Sequence, residues 1–249
     1  MPLVKSISSL GHYMLLMRKV FSRPDRWSVF FRQLLQEVSK LIIDSIWIVV
    51  IISVFIGAVI TIQTQLNMNS PLFPRYTVGL ATRDVLLLEF SSAIMCLILA
   101  GKVGSNIASE IGTMRVTEQI DALEIMGVNA ASFLILPKIT AMVIFIPLLV
   151  VLSMFTGIFG GYLVALTTSM ISVSTYIYGI QTMFIEYYVW YSIEKSLIFA
   201  FIIASISSYY GYYVKGGSLE VGKASTNAVV MSSVIILLFD VILTKILLQ

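Results

Sequence analysis

The sequence predicts an all-α polytopic membrane protein, and three observations support that prediction. Hydrophobic residues make up 58% of the 249 residues and charged residues only 12%, which is about half the charge of a typical soluble domain. The mean hydropathy is +0.96. The apolar stretches are long and continuous rather than alternating, which favours membrane-spanning helices over a transmembrane barrel.

Five stretches are long enough to cross a bilayer as helices. They are predicted at residues 41–62, 84–108, 139–166, 196–214 and 229–248. An amphipathic helix at 26–42 runs into the first span and carries Trp27, Phe30, Phe31 and Leu34 on its apolar face, opposite a basic face. This pattern predicts a helix that lies in the membrane interface. No domain boundary or internal repeat is visible, so residues 1–249 are predicted to form a single domain.

A polar segment, residues 109–129, separates the second and third spans and holds four of the thirteen acidic residues. Thr117 as N-cap and Gly127 as C-terminal stop predict a short helix within residues 113–127. Its apolar arc contains Ile120, Ala122, Leu123 and Met126. A short amphipathic helix between two spans must lie at the membrane surface or dock on a partner.

The lysine and arginine residues predict the orientation of the chain. The N-terminus, the 101–138 segment and the 211–227 loop hold 7, 3 and 2 of the 16 basic residues. The other 4 are Arg75, Arg83, Lys195 and Lys245, which this topology assigns to the opposite side. The positive-inside rule therefore predicts a cytoplasmic N-terminus and polar segment and a C-terminus on the outer side.

Catalytic and metal chemistry are disfavoured by the residues available. His12 is the only histidine and Cys96 the only cysteine, so neither serine–histidine catalysis nor a histidine or thiol metal site is predicted. Without a plausible catalytic pair, a membrane-embedded lipid enzyme is also disfavoured. The 217–224 stretch has the spacing of a nucleotide-binding loop, but Ala224 replaces the residue that holds Mg²⁺ and a membrane span precedes it.

Two acidic residues within predicted spans, Glu89 and Asp240, have two interpretations. Ionisable residues inside a membrane mark either function or pairing between helices, and the sequence leaves both open. If they were ion sites, the protein would be an ion-coupled secondary transporter or channel, which is the alternative function. Lys245, near the end of its span, is predicted to reach the interface with its long side chain.

Several stretches around the polar segment resemble the MlaE-type permeases. The resemblance rests on residues 101–104, 108–123, 126–128, 136–137, 216–217 and 221–226. It extends over nearly the whole chain from residue 26 onward, and the run from Glu110 to Leu123 is specific. The departures are mild, namely Lys102, Ser109 and the 219–220 pair.

The resemblance implies a permease subunit of an ABC transporter that moves phospholipid or related lipid between membranes. It further implies a homodimer in the inner membrane, a separate cytoplasmic ABC ATPase that binds ATP, and an MCE-domain protein that carries lipid. The chain itself would need no cofactor, no metal and no nucleic acid. The polar segment would be the coupling helix, with ATPase contacts expected at Glu110, Thr113, Met114, Arg115, Glu118, Gln119, Asp121 and Leu123. Glu89 and Asp240 are the candidates for the lipid path, which is expected between the first, second and fifth spans.

Overall fold

The computed structural model describes residues 2–22, 27–68, 74–168 and 170–248, and within them it contains helices and no strands. These residues form eight continuous helical segments. They are α1 (Pro2–Val20), α2 (Trp27–Asn67), α3 (Thr77–Val116), α4 (Gln119–Ile125), α5 (Ala130–Thr167), α6 (Val173–Gln181), α7 (Tyr187–Tyr212) and α8 (Ser218–Leu247). Five of them, α2, α3, α5, α7 and α8, are long and apolar enough to cross a membrane. The predicted all-α polytopic class is confirmed.

The helices extend well beyond the predicted spans. α3 begins at Thr77 rather than 84, α7 at Tyr187 rather than 196, and α8 at Ser218 rather than 229. Hydropathy detects only the most apolar part of a helix, and these helices continue through polar turns at their ends. α1 and α6 were not predicted at all. The first residue of the predicted amphipathic helix, Arg26, lies outside the described residues.

Two of the long helices contain π-helical stretches. These stretches are Val38–Ile43 in α2, and Leu86–Ile94 and Ala100–Gly104 in α3. π-Helical turns are rare and often occur at functional sites, because the extra residue re-aims the side chains around it. Glu89 lies within the longest of these stretches.

The chain divides into two compact units, of which the first comprises residues 1–44, 97–145 and 198–239. α1 packs here through buried Leu16 and Val20, and Tyr13 Oη donates a hydrogen bond to Ser205 Oγ at 2.9 Å. Small residues on α3 allow close packing at one position and not at another. A Cβ atom on Gly104 would lie 2.9 Å from Ser207 Oγ, whereas one on Gly101 would meet nothing within 4 Å.

The second unit comprises residues 45–96, 146–197 and 240–249. Here α2 and α5 approach to backbone contact, because a Cβ on Gly57 would lie 1.9 Å from Gly157 O and one on Gly160 would lie 2.0 Å from Val54 O. Such small-residue contacts are the usual way for membrane helices to pack closely. Ser53 Oγ donates to Ser153 Oγ at 2.9 Å in the same interface.

Arg83 holds α6 against α3 in this second unit. Its Nη1 donates to the carbonyl oxygens of Ile180 at 2.7 Å and Thr182 at 2.8 Å, and Nη2 pairs with Asp84 Oδ1 at 2.7 Å. The Arg83 side chain is only 1% exposed. Arg83 therefore lies within α3 and not in a loop before the second span, and its guanidinium satisfies carbonyl groups left free at the C-terminal end of α6.

Candidate functional site

A buried lysine joins three helices close to the start of the polar segment, within the first unit. Lys138 Nζ contacts Glu37 Oε1 at 2.7 Å and Glu110 Oε2 at 2.8 Å, and Lys40 Nζ contacts Glu110 Oε1 at 2.7 Å. We call these four residues the Lys138 network. Lys138 is 2% exposed and Lys40 is 49% exposed. Two carboxylates thus neutralise two ammonium groups, one of which has almost no access to solvent.

This network changes the interpretation of Glu110. The sequence predicted Glu110 as a contact for a partner, yet both of its carboxylate oxygens bind lysines of the same chain. Its side chain retains 25% exposure. Glu110 therefore links α2, α3 and α5, because one of its oxygens contacts Lys40 and the other contacts Lys138.

The turn before α4 differs from the predicted one. α3 continues to Val116, and Thr117 Oγ1 donates back to Thr113 O at 2.8 Å, so Thr117 does not act as the N-cap of α4. Glu118 stands before α4 instead, with a left-handed backbone (φ 60°) and no side-chain capping bond. Gly127, at φ 78°, ends the polar helix as predicted, and Val128 N donates to Leu123 O at 3.1 Å. A left-handed backbone conformation is unfavourable for residues other than glycine, so surrounding contacts must stabilise this turn.

Those contacts come from both ends of α4. Arg115 Nη1 pairs with Asp121 Oδ1 at 2.6 Å across the turn. Tyr212 Oη, at the end of α7, donates to Glu124 Oε1 at 2.7 Å, and the Arg115 guanidinium lies 5.9 Å from the Tyr212 ring centroid. Ile120 is fully buried beneath the helix. α4 is therefore held in one position on the first unit.

The residues on and around α4 include both polar and apolar side chains that reach the surface. Thr113, Glu118 and Gln119 are exposed, while Met114, Arg115, Asp121 and Leu123 are half-buried. Ile125 is 87% exposed and Met126 is 68% exposed. The predicted grouping of Met126 with buried Ile120 is wrong, because α4 ends at Ile125 and Met126 does not continue the helical arc. An exposed apolar pair beside charged residues is typical of a surface that binds another protein.

A second set of charges lies within the membrane-spanning helices of the second unit. Lys195 Nζ forms ion pairs with Asp240 Oδ1 at 2.6 Å and with Glu89 Oε2 at 3.5 Å. The contact with Asp240 Oδ1 does not have the angles of a hydrogen bond. Lys195 Nζ also donates to Tyr191 Oη at 2.9 Å and to Thr244 Oγ1 at 3.2 Å. We call these five residues the Lys195 cluster. The Lys195 side chain is fully buried, and those of Asp240 and Glu89 are 16% and 44% exposed.

The Lys195 cluster brings together the two predicted lipid-path residues and adds a third charge. The sequence placed Lys195 just before the fourth span, whereas it lies within α7, which begins eight residues earlier at Tyr187. The cluster carries one positive and two negative charges. Glu89, the most exposed of the three, offers a carboxylate that is only loosely paired, and it lies on a π-helical stretch.

The sequence did not indicate the roles of Lys138 and Lys195, because both lie just outside the predicted spans. Lys138 precedes the predicted third span by one residue, and Lys195 precedes the predicted fourth. The rule that an ionisable residue within a membrane helix has a partner or a function applies to both once the helices are extended. The 217–224 stretch forms the start of α8 from Ser218 onward rather than a loop.

The arrangement defines a helical membrane protein with a short, fixed surface helix and a buried charge cluster among its spans. The sequence pattern of the family described as Permease MlaE matches residues 34–246. A probable ABC transporter permease protein of Rickettsia bellii is 33% identical over 246 residues, which cover 97% of this chain and 93% of that protein. A probable ABC transporter permease protein of Synechocystis is 32% identical, over 88% of this chain and 82% of that protein.

A third relative comes from a plant. The Arabidopsis thaliana protein named Trigalactosyldiacylglycerol 1, chloroplastic, is 29% identical over 87% of this chain and 62% of its own length. The extent of the family match and the identity to the bacterial relatives show that the chain belongs to the MlaE family of ABC transporter permeases. The predicted resemblance is confirmed. A permease of this class is a transport component that works with an ATPase partner.

Proposed function

We propose that this chain is the permease subunit of an ABC transporter that moves phospholipid or a related lipid between membranes. In this proposal it forms a homodimer in the inner membrane, with its N-terminus cytoplasmic and its C-terminus periplasmic. It works with a cytoplasmic ABC ATPase, which binds the ATP, and with an MCE-domain protein that carries lipid. Family membership supports the transport function. The name of the Arabidopsis relative contains that of a glycolipid, which supports a lipid as the substrate.

The fixed position of α4 is the observation that carries the coupling role. ATP would be hydrolysed in a different chain, so force has to cross a protein interface. A helix braced by the Arg115–Asp121 pair and by the Tyr212–Glu124 hydrogen bond can transmit a displacement instead of absorbing it. The outward residues on and beside this helix combine apolar side chains, Ile125 and Met126, with polar neighbours, Glu118 and Gln119. This is the usual composition of a protein interface.

A matched pair of charge reversals tests this coupling role. We expect Glu118→Lys to lower co-purification of the ATPase, or the ATPase rate of the complex in nanodiscs, while the permease remains inserted and folded. Glu118 is exposed and forms no ion pair in the described residues, so its reversal breaks no ion pair among them. Glu186→Lys, which reverses an exposed acid on the segment before α7, is the control. Wild-type binding and coupled turnover in Glu118→Lys, Gln119→Ala and Ile125→Asp together would refute the coupling role of α4.

Glu110→Lys is unsuitable as a test of the interface. The new ammonium group would face Lys40 and Lys138, both of which Glu110 contacts. Three positive charges without a carboxylate between them would disrupt the Lys138 network. Loss of ATPase binding in that variant would then report unfolding of the first unit rather than a lost contact.

The Lys195 cluster is the part of the proposed lipid path that the described residues define best. Its half-exposed Glu89 can meet a polar headgroup, while Lys195 and Asp240 stabilise each other. We expect Glu89→Gln and Asp240→Asn each to slow lipid transfer between liposomes that contain the complex and acceptor vesicles. Lys245→Met, at an exposed lysine near the end of α8, is the control. If both acid variants transfer lipid at the wild-type rate, these two residues serve only to pack the helices.

A further inference from the structure

A cavity of about 320 Å³ lies where α7 ends and α8 begins, within the first unit. Tyr209, Tyr210 and Tyr213 form its aromatic wall, and Lys215, Glu220 and Lys223 contribute its charged groups. α7 ends at Tyr212 and α8 begins at Ser218, so the cavity lies at the end of two membrane-spanning helices. Tyrosine is enriched at this depth because its ring is apolar and its hydroxyl is polar. These residues belong neither to the proposed lipid path nor to the proposed ATPase contact.

The three tyrosine rings present faces in different directions. The Tyr209 and Tyr210 centroids are 5.6 Å apart with an angle of 83° between the ring planes, and those of Tyr209 and Tyr213 are 5.2 Å apart at 57°. Burial raises the pKa of Tyr213, so its phenol stays neutral. Neutral aromatic faces at steep angles to one another are the usual recognition element for an organic ammonium group.

The charged groups of the cavity are complementary to a ligand that carries both signs. Glu220 Oε1 pairs with Lys223 Nζ at 2.6 Å, while Lys215 forms no ion pair in the described residues. A phosphate group would find the free ammonium of Lys215, and an adjacent ammonium group would find the tyrosine faces and the Glu220 carboxylate. A purely anionic ligand would leave the aromatic wall and Glu220 without a role.

We propose that this cavity binds a zwitterionic headgroup, a phosphodiester with a neighbouring ammonium group, as in phosphatidylcholine or phosphatidylethanolamine. The phosphodiester lies against Lys215 and the ammonium against Tyr209, Tyr213 and Glu220. The site goes beyond the proposed transport function, because it needs only that the helices end at a membrane surface. Its ligand chemistry is shared by intact lipids and by soluble headgroup esters.

Native mass spectrometry of the full chain in detergent tests the proposal without ATP or any partner. We expect retained phosphatidylcholine in excess over phosphatidylglycerol when both are supplied in equal amounts. Lys215→Met and Tyr213→Leu should each weaken the retention of phosphatidylcholine about tenfold, the range expected when one charge or one cation–π contact is lost. Lys215→Arg and Tyr213→Phe keep the charge and the ring, respectively, and should retain lipid as the wild type does. This rescue separates ligand binding from a general loss of folding.

Controls and competitors distinguish the possible sources of a signal. Lys245→Met and Tyr178→Leu change an exposed lysine and an exposed tyrosine outside the cavity and should leave retention unchanged. Soluble glycerophosphocholine should compete with the lipid, and inorganic phosphate should not. Competition by inorganic phosphate, equal retention of phosphatidylglycerol, or wild-type retention in both Lys215→Met and Tyr213→Leu would each overturn the proposal. Because no transport is measured, failure here leaves the proposed transport function standing, and the reverse also holds.

Discussion

Individual side chains in this protein owe their roles to charges that are paired inside the fold. Lys138 illustrates the point, because its ammonium is 2% exposed and contacts carboxylates from two other helices. Removing one partner of a buried ion pair costs far more than removing an exposed one, since the remaining charge stays in a poorly solvated site. The same reasoning distinguishes Glu110, which is paired twice, from Glu118, which projects from a left-handed turn.

We expect Lys138→Met to destabilise the protein by about 3–5 kcal/mol, because it leaves Glu37 without its cation and Glu110 with Lys40 alone. Lys40→Met is the matched control. Lys40 is 49% exposed, so losing its contact with Glu110 should cost no more than about 1 kcal/mol. Thermal unfolding of both variants in detergent, followed by circular dichroism, provides the measurement. Equal losses of stability in the two variants would show that burial does not determine how much these ion pairs contribute to the free energy of unfolding.

The close packing of α2 against α5 depends on glycines. Their GxxxG spacing is common by chance in membrane helices. Gly157 and Gly161 form a GxxxG pair that carries little information in the sequence. In the structure, Gly157 lies against Gly57, and a Cβ on Gly161 would lie 2.1 Å from Tyr176 Oη. The Tyr176 hydroxyl donates to Ile158 O at 3.1 Å, and burial raises its pKa to about 12, so it remains a donor at any physiological pH. Contacts of this kind set how near two helices can come.

Gly57→Ala should lower the yield of folded protein or its melting temperature strongly, because the new methyl group would lie 1.9 Å from Gly157 O. Gly101→Ala is the control, since nothing lies within 4 Å of the added Cβ. In a helix interior that substitution should be neutral or should stabilise by up to about 1 kcal/mol. Size-exclusion profiles and melting temperatures in detergent distinguish the two. An unchanged Gly57→Ala variant would contradict the backbone contact between α2 and α5.

The start of α2 gives a further prediction at the scale of helices. Trp27 and Phe31 are exposed on this chain, as expected if their apolar face meets lipid in the cytoplasmic leaflet interface. Cysteines introduced at Arg32 and Gln36, both exposed, should react with membrane-impermeant maleimide from the cytoplasmic side only. Native Cys96 is buried and should not react. Lys245→Cys should react from the opposite side, and labelling of Arg32→Cys from that side would refute the proposed orientation.

At the scale of the whole molecule, the spans are covered unequally. In α7, 61% of the most apolar window is buried within the chain, compared with 11% in α8. A span with so little cover from its own chain can face lipid or a second copy of the chain. The proposed homodimer corresponds to the second case.

We therefore expect the intact complex to contain two permease chains. Native mass spectrometry of the complex, purified with its ATPase, counts them directly. Substituting Val234 and Val241, exposed on α8, by tryptophan should convert the dimer to a monomer if α8 lies in the interface. The same substitution at exposed Phe155 on α5 is the control. A single permease copy in the wild-type complex would rule out the homodimer.

The sequence by itself determined the class of the protein, the five spans, the polar segment and the C-terminal stop at Gly127. These features depend on hydropathy and on turn residues, which act within one stretch of chain. It also identified the MlaE family, because the run from Glu110 to Leu123 is contiguous. The predicted spans are shorter than the helices that contain them, because polar residues in the terminal turns lower the hydropathy there.

Only the tertiary structure decided which charges are free to act. Lys138 meets Glu37 across 101 residues of sequence, and Lys195 meets Glu89 across 106. No local pattern encodes such a pairing, because it depends on which faces of distant helices pack together. That packing gives Glu110 a structural role, brings Lys195 to Glu89 and Asp240, and leaves Glu118 exposed. A carboxylate in a polar segment looks the same in sequence whether or not a lysine from another helix neutralises it, and the Coulomb energy that separates the two cases depends on distance in space.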